Sequence, residues 1–326
     1  VCVLGGDTYE FLFARGMVAQ VKIAPNKAPT VPSWFSEMLP LSFDVGCNIQ
    51  KFRRYIEDLF VNKKSKKEVM EFLHEYVYVD NDAAEALYRY FREQYLYATI
   101  PHDKRLLVEF YTDENDKSFV IFHSLYGRRV NDCLSRAVAY AISKLQKRDV
   151  EIGINDNGFY IASKKNIQVM RAFELIDPTK LRKLMDQAID KTEVLKRRFR
   201  HCATRSLMIL RQYKGQTKRV GRQQVSSMIL MKAVKEIDKD FPILKEARRE
   251  VLEDLMDVAN AAKILKDIKS GKIEVEQIHT TIPSPFAFNV VTQGYTDILK
   301  IENKIEFLQR MHQHVLAKIG KKHKID

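Results

Sequence analysis

The sequence predicts an α+β protein with a strand-containing first part, residues 1–165, and a mainly helical second part, residues 166–326. Short runs of branched and aromatic residues, separated by glycine or proline, are frequent in the first part and typical of strands. Apolar residues recur every three to four positions in much of the second part, as they do in amphipathic helices. A chain of 326 residues is long enough for about two domains, each with its own core.

The first 45 residues are predicted to be mainly extended, with strands over residues 8–14 and 17–25. A loop is expected over residues 24–44, because its four prolines lack amide donors and discourage strand pairing. The loop contains Trp34, the only tryptophan. This indole has two interpretations: a partly buried core side chain, or a platform on which an unpaired base stacks.

Helices are predicted over residues 66–76 and 83–98, the second beginning at Asp82 with Glu85 completing a capping box. The other elements expected in the first part are strands over 105–113 and 118–125, a helix over 126–145, and a hairpin that turns at Asn157-Gly158. The acidic residues 113–116 fall at the turn between two strands. We interpret them as a solvated loop rather than a metal site.

In the second part, the main predicted helix covers residues 192–215, with Gly215 near its end. One stripe of this helix is apolar and contains Leu195, Phe199, Cys202 and Leu210. A strand is predicted at residues 272–278, among further helices.

The positive charge is concentrated in one segment. The chain has a net charge of +13, and residues 191–228 contain 11 Lys and Arg residues against one acid, Glu193, which gives +10. One interpretation is a helix whose charged outer face is simply solvated. The other is a track for phosphates, favoured by polar side chains suited to sugar, phosphate or base contacts: Gln212, Tyr213, Gln216, Gln223 and Gln224.

Several kinds of chemistry lack a signature in the sequence. No glycine-rich phosphate-binding loop of the G-x-x-x-x-G-K-[ST] type occurs, so we expect no ATPase site and no catalytic residue in this chain. The four cysteines lack the spacing of a zinc site or a disulfide framework, and we expect buried thiols and no metal. No apolar run reaches the roughly 18 residues of a membrane span. We expect a cytoplasmic protein without a membrane partner.

Seven segments, taken in order, carry a resemblance to a known family. They are VPSWFSEMLPLSFDVG, HSLYGRRVNDCLSRAVAYAI, NDNGFYIA, RRFRHCATRSLMILRQYKG, VGRQQ, FPILKEARREVLEDLMD and TIPSPFAF. Together they resemble the C-terminal accessory region of the large helicase-related (Lhr) family of superfamily 2 DNA helicases, in its archaeal form. The sequence starts at Val1 rather than methionine, and we expect it to be a segment of a longer chain.

The resemblance implies a β-barrel-like first part, a winged-helix-like second part, and a function. The intact protein would be an ATP-dependent 3′–5′ DNA helicase in repair or processing, with ATP and Mg²⁺ in RecA-like motor domains that are absent here. This segment would bind single-stranded DNA, or an RNA–DNA hybrid, without a cofactor of its own. Its partners within the polypeptide would be the motor and a winged-helix domain.

The residues that the resemblance and the charge pattern single out fall into two groups. Arg249 matches the family arginine that faces the motor and helps couple ATP hydrolysis to movement, and the neighbouring Arg248 is the alternative match, one position away. The candidate DNA-binding residues are Trp34, Arg128, Arg129, Lys196, Arg197, Arg198, Arg200, Arg205, Arg211, Lys218, Arg219, Arg222 and Gln223.

Two alternatives remain open at this point. The family region is similar in fold to glycosylases that position a water with a glutamine-rich motif, and Gln223-Gln224 is a superficial counterpart. A glutamine pair beside arginines is explained more simply by phosphate contacts. The other alternative is a structural clamp that binds a protein partner, for which nucleic-acid affinity and its salt dependence would be absent.

Trp34→Ala separates the two interpretations of the indole. If Trp34 stacks on a base, the variant binds single-stranded DNA more weakly by roughly 1 to 3 kcal/mol, and Phe restores part of the loss. The salt dependence of binding stays the same, since no phosphate contact is removed. If Trp34 is a core residue, circular dichroism instead records earlier melting, with a loss of roughly 3 to 5 kcal/mol of stability.

Overall fold

The structure is a computed structural model that describes residues 1–4, 7–15, 18–25, 27, 39–217, 220–292 and 301–322. Trp34, Lys218 and Arg219 lie outside the described residues. The strands are β1 (Cys2–Leu4), β2 (Asp7–Arg15), β3 (Val18–Ile23), β4 (Arg105–Thr112), β5 (Ser118–Phe122), β6 (Glu151–Ile154), β7 (Phe159–Ser163), β8 (Gln212–Tyr213), β9 (Gln216–Thr217) and β10 (Glu274–His279).

The helices are α1 (Phe43–Val61), α2 (Lys66–Val77), α3 (Asn81–Tyr97), α4 (Arg128–Gln146), α5 (Val169–Glu174), α6 (Leu181–Ile189), α7 (Glu193–Arg205), α8 (Val220–Ile237), α9 (Pro242–Arg249), α10 (Val258–Lys269), α11 (Phe288–Val291) and α12 (Ile301–Lys322). A 3-10 turn covers Pro178–Lys180. A π-helical segment, Glu250–Leu255, continues α9 and is called the π segment below. Among the described residues, no helix has both the length and the hydropathy to span a bilayer.

A five-stranded sheet with the order β10-β4-β5-β7-β6 forms the centre of the fold. β10 pairs with β4 in parallel, and the other neighbours are antiparallel. Residues alternate between the faces of a strand, so Leu106 and Val108 point to one side of β4 and Leu107 and Glu109 to the other. Both sides are buried. β1, β2 and β3 form a separate antiparallel sheet.

The larger core lies on the Val108 side of the five-stranded sheet. There Val108, Phe122 and Ile161 share a cluster with the apolar side of α4 and with buried side chains of α6, α7, α9 and α10. This cluster contains residues from both sides of position 166. The predicted division into two domains therefore stays a prediction, and β10 from the second part completes a sheet of the first.

A second core joins α1, α2 and α3, where Ile56, Leu73 and Phe91 pack with Phe286. The Arg53 guanidinium lies 4.5 Å from the centre of the Phe286 ring. Phe286 comes from the segment after β10, so this segment ties the helical cluster to the sheet.

The other side of the sheet buries a carboxylate. Glu109 has 0% exposure, and its oxygens accept hydrogen bonds from Thr280 Oγ1 at 2.7 Å and from the Ser284 amide and hydroxyl, each at 2.7 Å. His123 Nε2 lies 2.9 Å from Glu109 Oε2. Burial alone would raise the pKa of Glu109, but hydrogen bonds from His123, Ser284 and Thr280 outweigh it and hold that pKa below its usual value.

The α+β class is confirmed, and so are most of the predicted elements. The strands at 105–112 and 118–122, the helix at 128–146, the Asn157-Gly158 hairpin and the strand at 274–279 all form. In the described residues the five-stranded sheet is open, with β10 and β6 at its edges. Cys133 and Cys202 are buried, while Cys2 and Cys47 are only partly buried, and all four are free thiols.

Three expectations were wrong in detail. α1 begins at Phe43, inside the predicted loop, because Ser42 caps it by accepting from the Val45 amide. α3 is capped by Asp80 rather than Asp82, and the capping box belongs to α2, between Ser65 and Glu68. The predicted helix 192–215 ends at Arg205, and Gly215, with φ of 77°, lies between β8 and β9.

Glu109→Ala is expected to lower the free energy of unfolding by roughly 3 to 5 kcal/mol, because the polar groups around it stay buried without a partner. Urea denaturation measures the loss, and Glu114→Ala, at an exposed turn, is the control. A pH series adds a second measurement with Glu109→Gln. A carboxylate whose pKa is lowered by folding stabilises fully above its unfolded pKa of about 4.3 and loses this contribution as the pH falls through the folded pKa. The difference in the free energy of unfolding between wild type and Glu109→Gln should therefore become smaller below about pH 4. Equal urea midpoints for Glu109→Ala and wild type would contradict this assignment.

Candidate nucleic-acid interface

The N-terminus of α4 lies next to the chain segment that leads into α1. One carboxylate oxygen of Asp156 accepts from the Arg128 amide at 2.8 Å and from the Leu41 amide at 3.0 Å. Gly127 has φ of 84°, and a Cβ there would lie 2.3 Å from the Leu41 oxygen, so the approach requires glycine. Leu41, seven residues after Trp34 in the sequence, thus lies beside Arg128, whose side chain is exposed.

Arg129, the neighbouring candidate, is half-buried and contacts the protein itself. Its guanidinium donates to the backbone oxygens of Glu253 and Met256, and the Asp257 amide donates to the Arg129 oxygen at 3.2 Å. These bonds tie α4 to the end of the π segment. The DNA-binding role of Arg129 stays a prediction.

The arginines of α7 divide between two faces. Arg198 and Arg205 lie seven residues apart, hence on one side of the helix, and both reach Glu250 in the π segment. Glu250 has 5% exposure, and Arg205 also lies 3.3 Å from Cys202 Sγ. These two guanidinium groups are therefore occupied with neutralising a buried carboxylate.

The other face of α7 lines a groove against α8. Positions 193, 196, 197 and 200 follow the i, i+3, i+4, i+7 spacing of one helical face, and so do positions 224, 227, 228 and 231 of α8. Between these two faces lies a groove of about 260 Å³, called the α7–α8 groove below. Its lining residues are Glu193, Lys196, Arg197, Arg200, Gln224, Ser227, Met228 and Met231.

The positive charges of this region affect the pKa of His201. Burial and then the charges of Arg200, Arg198, Arg197 and Arg211 lower the pKa of His201. The cations thus disfavour a further positive charge, which is the field that an anion would experience as attractive. At the groove edge, Lys196 Nζ lies 2.6 Å from Glu193 Oε1, so the one carboxylate there is already paired.

The remaining candidates lie around the β8–β9 hairpin. Arg211 is exposed just before β8, and Arg222 is exposed in the first turn of α8 with Gln223 half-buried beside it. Among the described residues, no hydrogen bond or ion pair joins Arg128 to the α7–α8 groove. The structure therefore brings together Lys196, Arg197 and Arg200 in the groove, and Arg128 is not among the residues that line it.

Arg249 lies in a different cleft, of about 1490 Å³, bordered by α4, α6, α8 and α9. Its guanidinium bonds to Glu246 at 2.8 Å and to Asp254 at 3.1 Å. These two carboxylates raise the pKa of Arg249 further above its ordinary value. Arg248, the alternative match in the sequence, instead bonds to Asp190 and the Lys239 oxygen.

The sequence does not reveal the acidic partners that determine which arginines make structural ion pairs. Glu250 stands in a charged run, and nothing in that run indicates which acid is buried. Asp156 precedes the Asn157-Gly158 turn, where its type indicates only a loop. The sequence gives only a weak indication of the α8 side of the groove, through Gln224, one of the polar residues within the basic segment. No group of three or more His, Cys, Asp or Glu residues in the described chain is arranged to hold a metal.

The sheet, packed on both sides, and the α7–α8 groove together define an α+β fold with a groove edged by positively charged side chains. The chain belongs to the DEAD/H associated family, whose model matches residues 100–287. It is 54% identical over 317 residues to the ATP-dependent helicase Lhr-Core of Methanothermobacter thermautotrophicus, covering 97% of this chain and 37% of that protein. The predicted resemblance to the Lhr family is confirmed.

Other relatives are similar to different extents. Lhr-Core of Sulfolobus acidocaldarius is 43% identical over 97% of this chain and 36% of its own length. The Escherichia coli Lhr helicase/uracil glycosylase is 28% identical over 59% of this chain and 12% of its own length. The chain spans little more than a third of the length of the archaeal relatives. The Mycobacterium smegmatis helicase Lhr, in a structure bound to ssDNA and AMP-PNP, has the same fold, with a TM-score of 0.68 and 23% identity over 82% of this chain and 33% of that one.

Substitutions on the two arginine faces of α7 should differ strongly in their effect on stability. Replacing Arg198 and Arg205 by Gln leaves the buried Glu250 carboxylate without a cation and should lower the free energy of unfolding by roughly 3 kcal/mol. Replacing Arg197 and Arg200 by Gln removes the same charge from the same helix, yet should change stability by less than about 0.5 kcal/mol. Thermal unfolding compares the two double variants. Equal losses would show that the assignment of the faces is wrong.

Proposed function

We propose that this chain binds single-stranded DNA along the α7–α8 groove, as an accessory domain of an ATP-dependent 3′–5′ DNA helicase. The observation that carries the proposal is the placement of Lys196, Arg197 and Arg200 on one helical face, opposite Gln224 of α8. Cations that follow one groove can neutralise successive phosphates, and amide side chains can bond sugar or phosphate oxygens.

The comparisons support the choice of nucleic acid. The archaeal relatives are named ATP-dependent helicases, and the structure of similar fold was determined with single-stranded DNA bound. We propose that ATP and Mg²⁺ act in RecA-like domains of the whole protein, next to a winged-helix domain, and that this chain contributes grip. An RNA–DNA hybrid is a second substrate in this proposal, DNA repair its setting, and the cytoplasm its location.

Arg249 is proposed as the contact to the motor domains. It lies in a cleft apart from the α7–α8 groove, and its guanidinium is held by Glu246 and Asp254 in a fixed orientation. Because its orientation is fixed, the Arg249 guanidinium could transmit a movement of a motor domain that docks in this cleft to the rest of the chain. In the whole protein, Arg249→Ala would then reduce strand movement per ATP hydrolysed.

The name of the Escherichia coli relative includes uracil glycosylase, which favours base processing as a second candidate. Base excision would need a carboxylate or an activated water beside the bound base. In the α7–α8 groove the carboxylate is Glu193, with a side chain 86% exposed and paired with Lys196. We therefore assign binding, and no catalysis, to this groove.

A salt titration tests the proposal. If roughly six phosphates are engaged, the logarithm of the affinity for labelled single-stranded DNA should fall with the logarithm of salt concentration with a slope near −4. Replacing Lys196, Arg197 and Arg200 by Ala should weaken binding and reduce the magnitude of the slope by about 2, as three phosphate contacts are lost. Fluorescence anisotropy at several salt concentrations gives both quantities.

The control replaces three exposed lysines away from the groove, Lys67, Lys164 and Lys165, by Ala. It loses the same net charge and should keep the wild-type slope. A flat salt response in the wild type would indicate a protein-binding clamp, and equal effects of the two triple variants would indicate a non-specific attraction.

A further inference from the structure

The α7–α8 groove has a floor that differs from its edge. The edge carries Lys196, Arg197 and Arg200, whereas the α8 side presents Ser227, Met228 and Met231. A groove needed only for phosphates would be cationic and polar throughout. This one is amphipathic, with a thioether floor and a charged edge.

The size of the groove limits what it can hold. Its volume of about 260 Å³ is near the lower limit of ligand pockets, which span roughly 300 to 1,000 Å³. A single ring system with its attached sugar fits this space, whereas a duplex or a peptide helix does not. The groove therefore has the size to hold one nucleotide of an extended single strand.

Two polar side chains in the groove have no hydrogen-bond partner among the residues that the structure describes. Ser227 has 3% exposure and lines the groove, and its hydroxyl makes no hydrogen bond within the described residues. The Gln224 carboxamide, one helical turn earlier on the same face, also has no partner there. A hydroxyl and a carboxamide each offer both a donor and an acceptor, which is what the edge of a nucleobase requires.

The apolar part complements a flat ring. Met231 is buried with 7% exposure and Met228 is 58% exposed, so one thioether forms the floor and the other can close over a ligand. Methionine sulfur makes favourable contacts with aromatic rings and adapts to their shape. A base on this floor would have its phosphate at the edge, within reach of the three cations.

From this arrangement, and resting on the proposed binding of single-stranded DNA, we propose that the α7–α8 groove holds one unstacked nucleobase and reads its edge. Gln224 and Ser227 contact the edge, Met228 and Met231 contact the face, and the cations contact the adjoining phosphate. Adenine is the preferred base, because a carboxamide can donate to and accept from its N6 and N7 edge at the same time.

The test measures base preference rather than affinity alone. Wild type, Gln224→Ala, Ser227→Ala and Met228→Ala are titrated with labelled oligodeoxyadenylate, oligothymidylate and an abasic strand of equal length. Gln224→Ala and Ser227→Ala should reduce the preference for adenine over thymine by about fivefold or more. Met228→Ala should reduce the preference for base-bearing over abasic strands by about two- to tenfold. The salt slope should not change in any of the three, since no phosphate contact is removed.

The controls are Gln313→Ala in α12 and Met208→Ala after α7, which change the same residue types at exposed positions outside the groove. Both should keep the wild-type preferences. Because Met228 is largely exposed, its variant keeps the test decisive if Ser227→Ala unfolds. Salt-dependent binding with unchanged preferences in all groove variants would overturn the nucleobase site alone. No binding of any strand by the wild type would overturn the proposed function with it.

Discussion

A carboxylate without access to water must have its charge satisfied inside the protein, and Glu109 meets this demand in the centre of the sheet. Its donors come from two segments far apart in the sequence: His123 follows β5, while Thr280 and Ser284 follow β10. The carboxylate therefore fixes the segment after β10 against the sheet. That segment also supplies Phe286 to the α1–α3 core and leads into α11, which covers the outer side of the sheet. The Glu109 hydrogen bonds therefore help to hold the segment after β10, Phe286 and α11 in their positions against the sheet and the α1–α3 core.

The sheet in turn sets the position of the basic helices. Its Val108 side packs with α4 and shares one core with Leu195, Phe199 and Cys202 of α7. Once this apolar stripe faces the core, the helical period decides where every arginine of α7 points. Arg198 and Arg205 turn towards Glu250, and Lys196, Arg197 and Arg200 turn towards α8. One helix thus supplies both a structural ion pair and a candidate binding face, and the division follows from packing rather than from residue type.

The same separation gives the proposed function a physical basis. Arginines that already neutralise Glu250 have little left to offer a phosphate, so the count of basic residues overstates the charge available to a ligand. Burial is the main cause of the lowered pKa of His201, and the charges of the nearby arginines lower it further, which is consistent with a positive field around α7. A narrow groove with cations at its edge, and a wide separate cleft that contains Arg249, are two surfaces suited to two partners. In the proposed function, the groove binds one DNA strand and the cleft contacts the motor domains.

The sequence by itself determined the features that depend on short-range pattern. Turn chemistry at Asn157-Gly158 placed a hairpin, apolar periodicity placed α4, and the seven ordered segments pointed to the Lhr family. The density of basic residues after position 191 located the candidate binding region.

Tertiary structure decided what depends on contacts between distant residues. The parallel pairing of β10 with β4 and the burial of Glu109 and Glu250 have no local signal, because each depends on a partner far away in the sequence. The choice between a structural and a binding arginine on α7 is of the same kind. It depends on the rotation of the helix against its neighbours, which is set by the packing of the whole core.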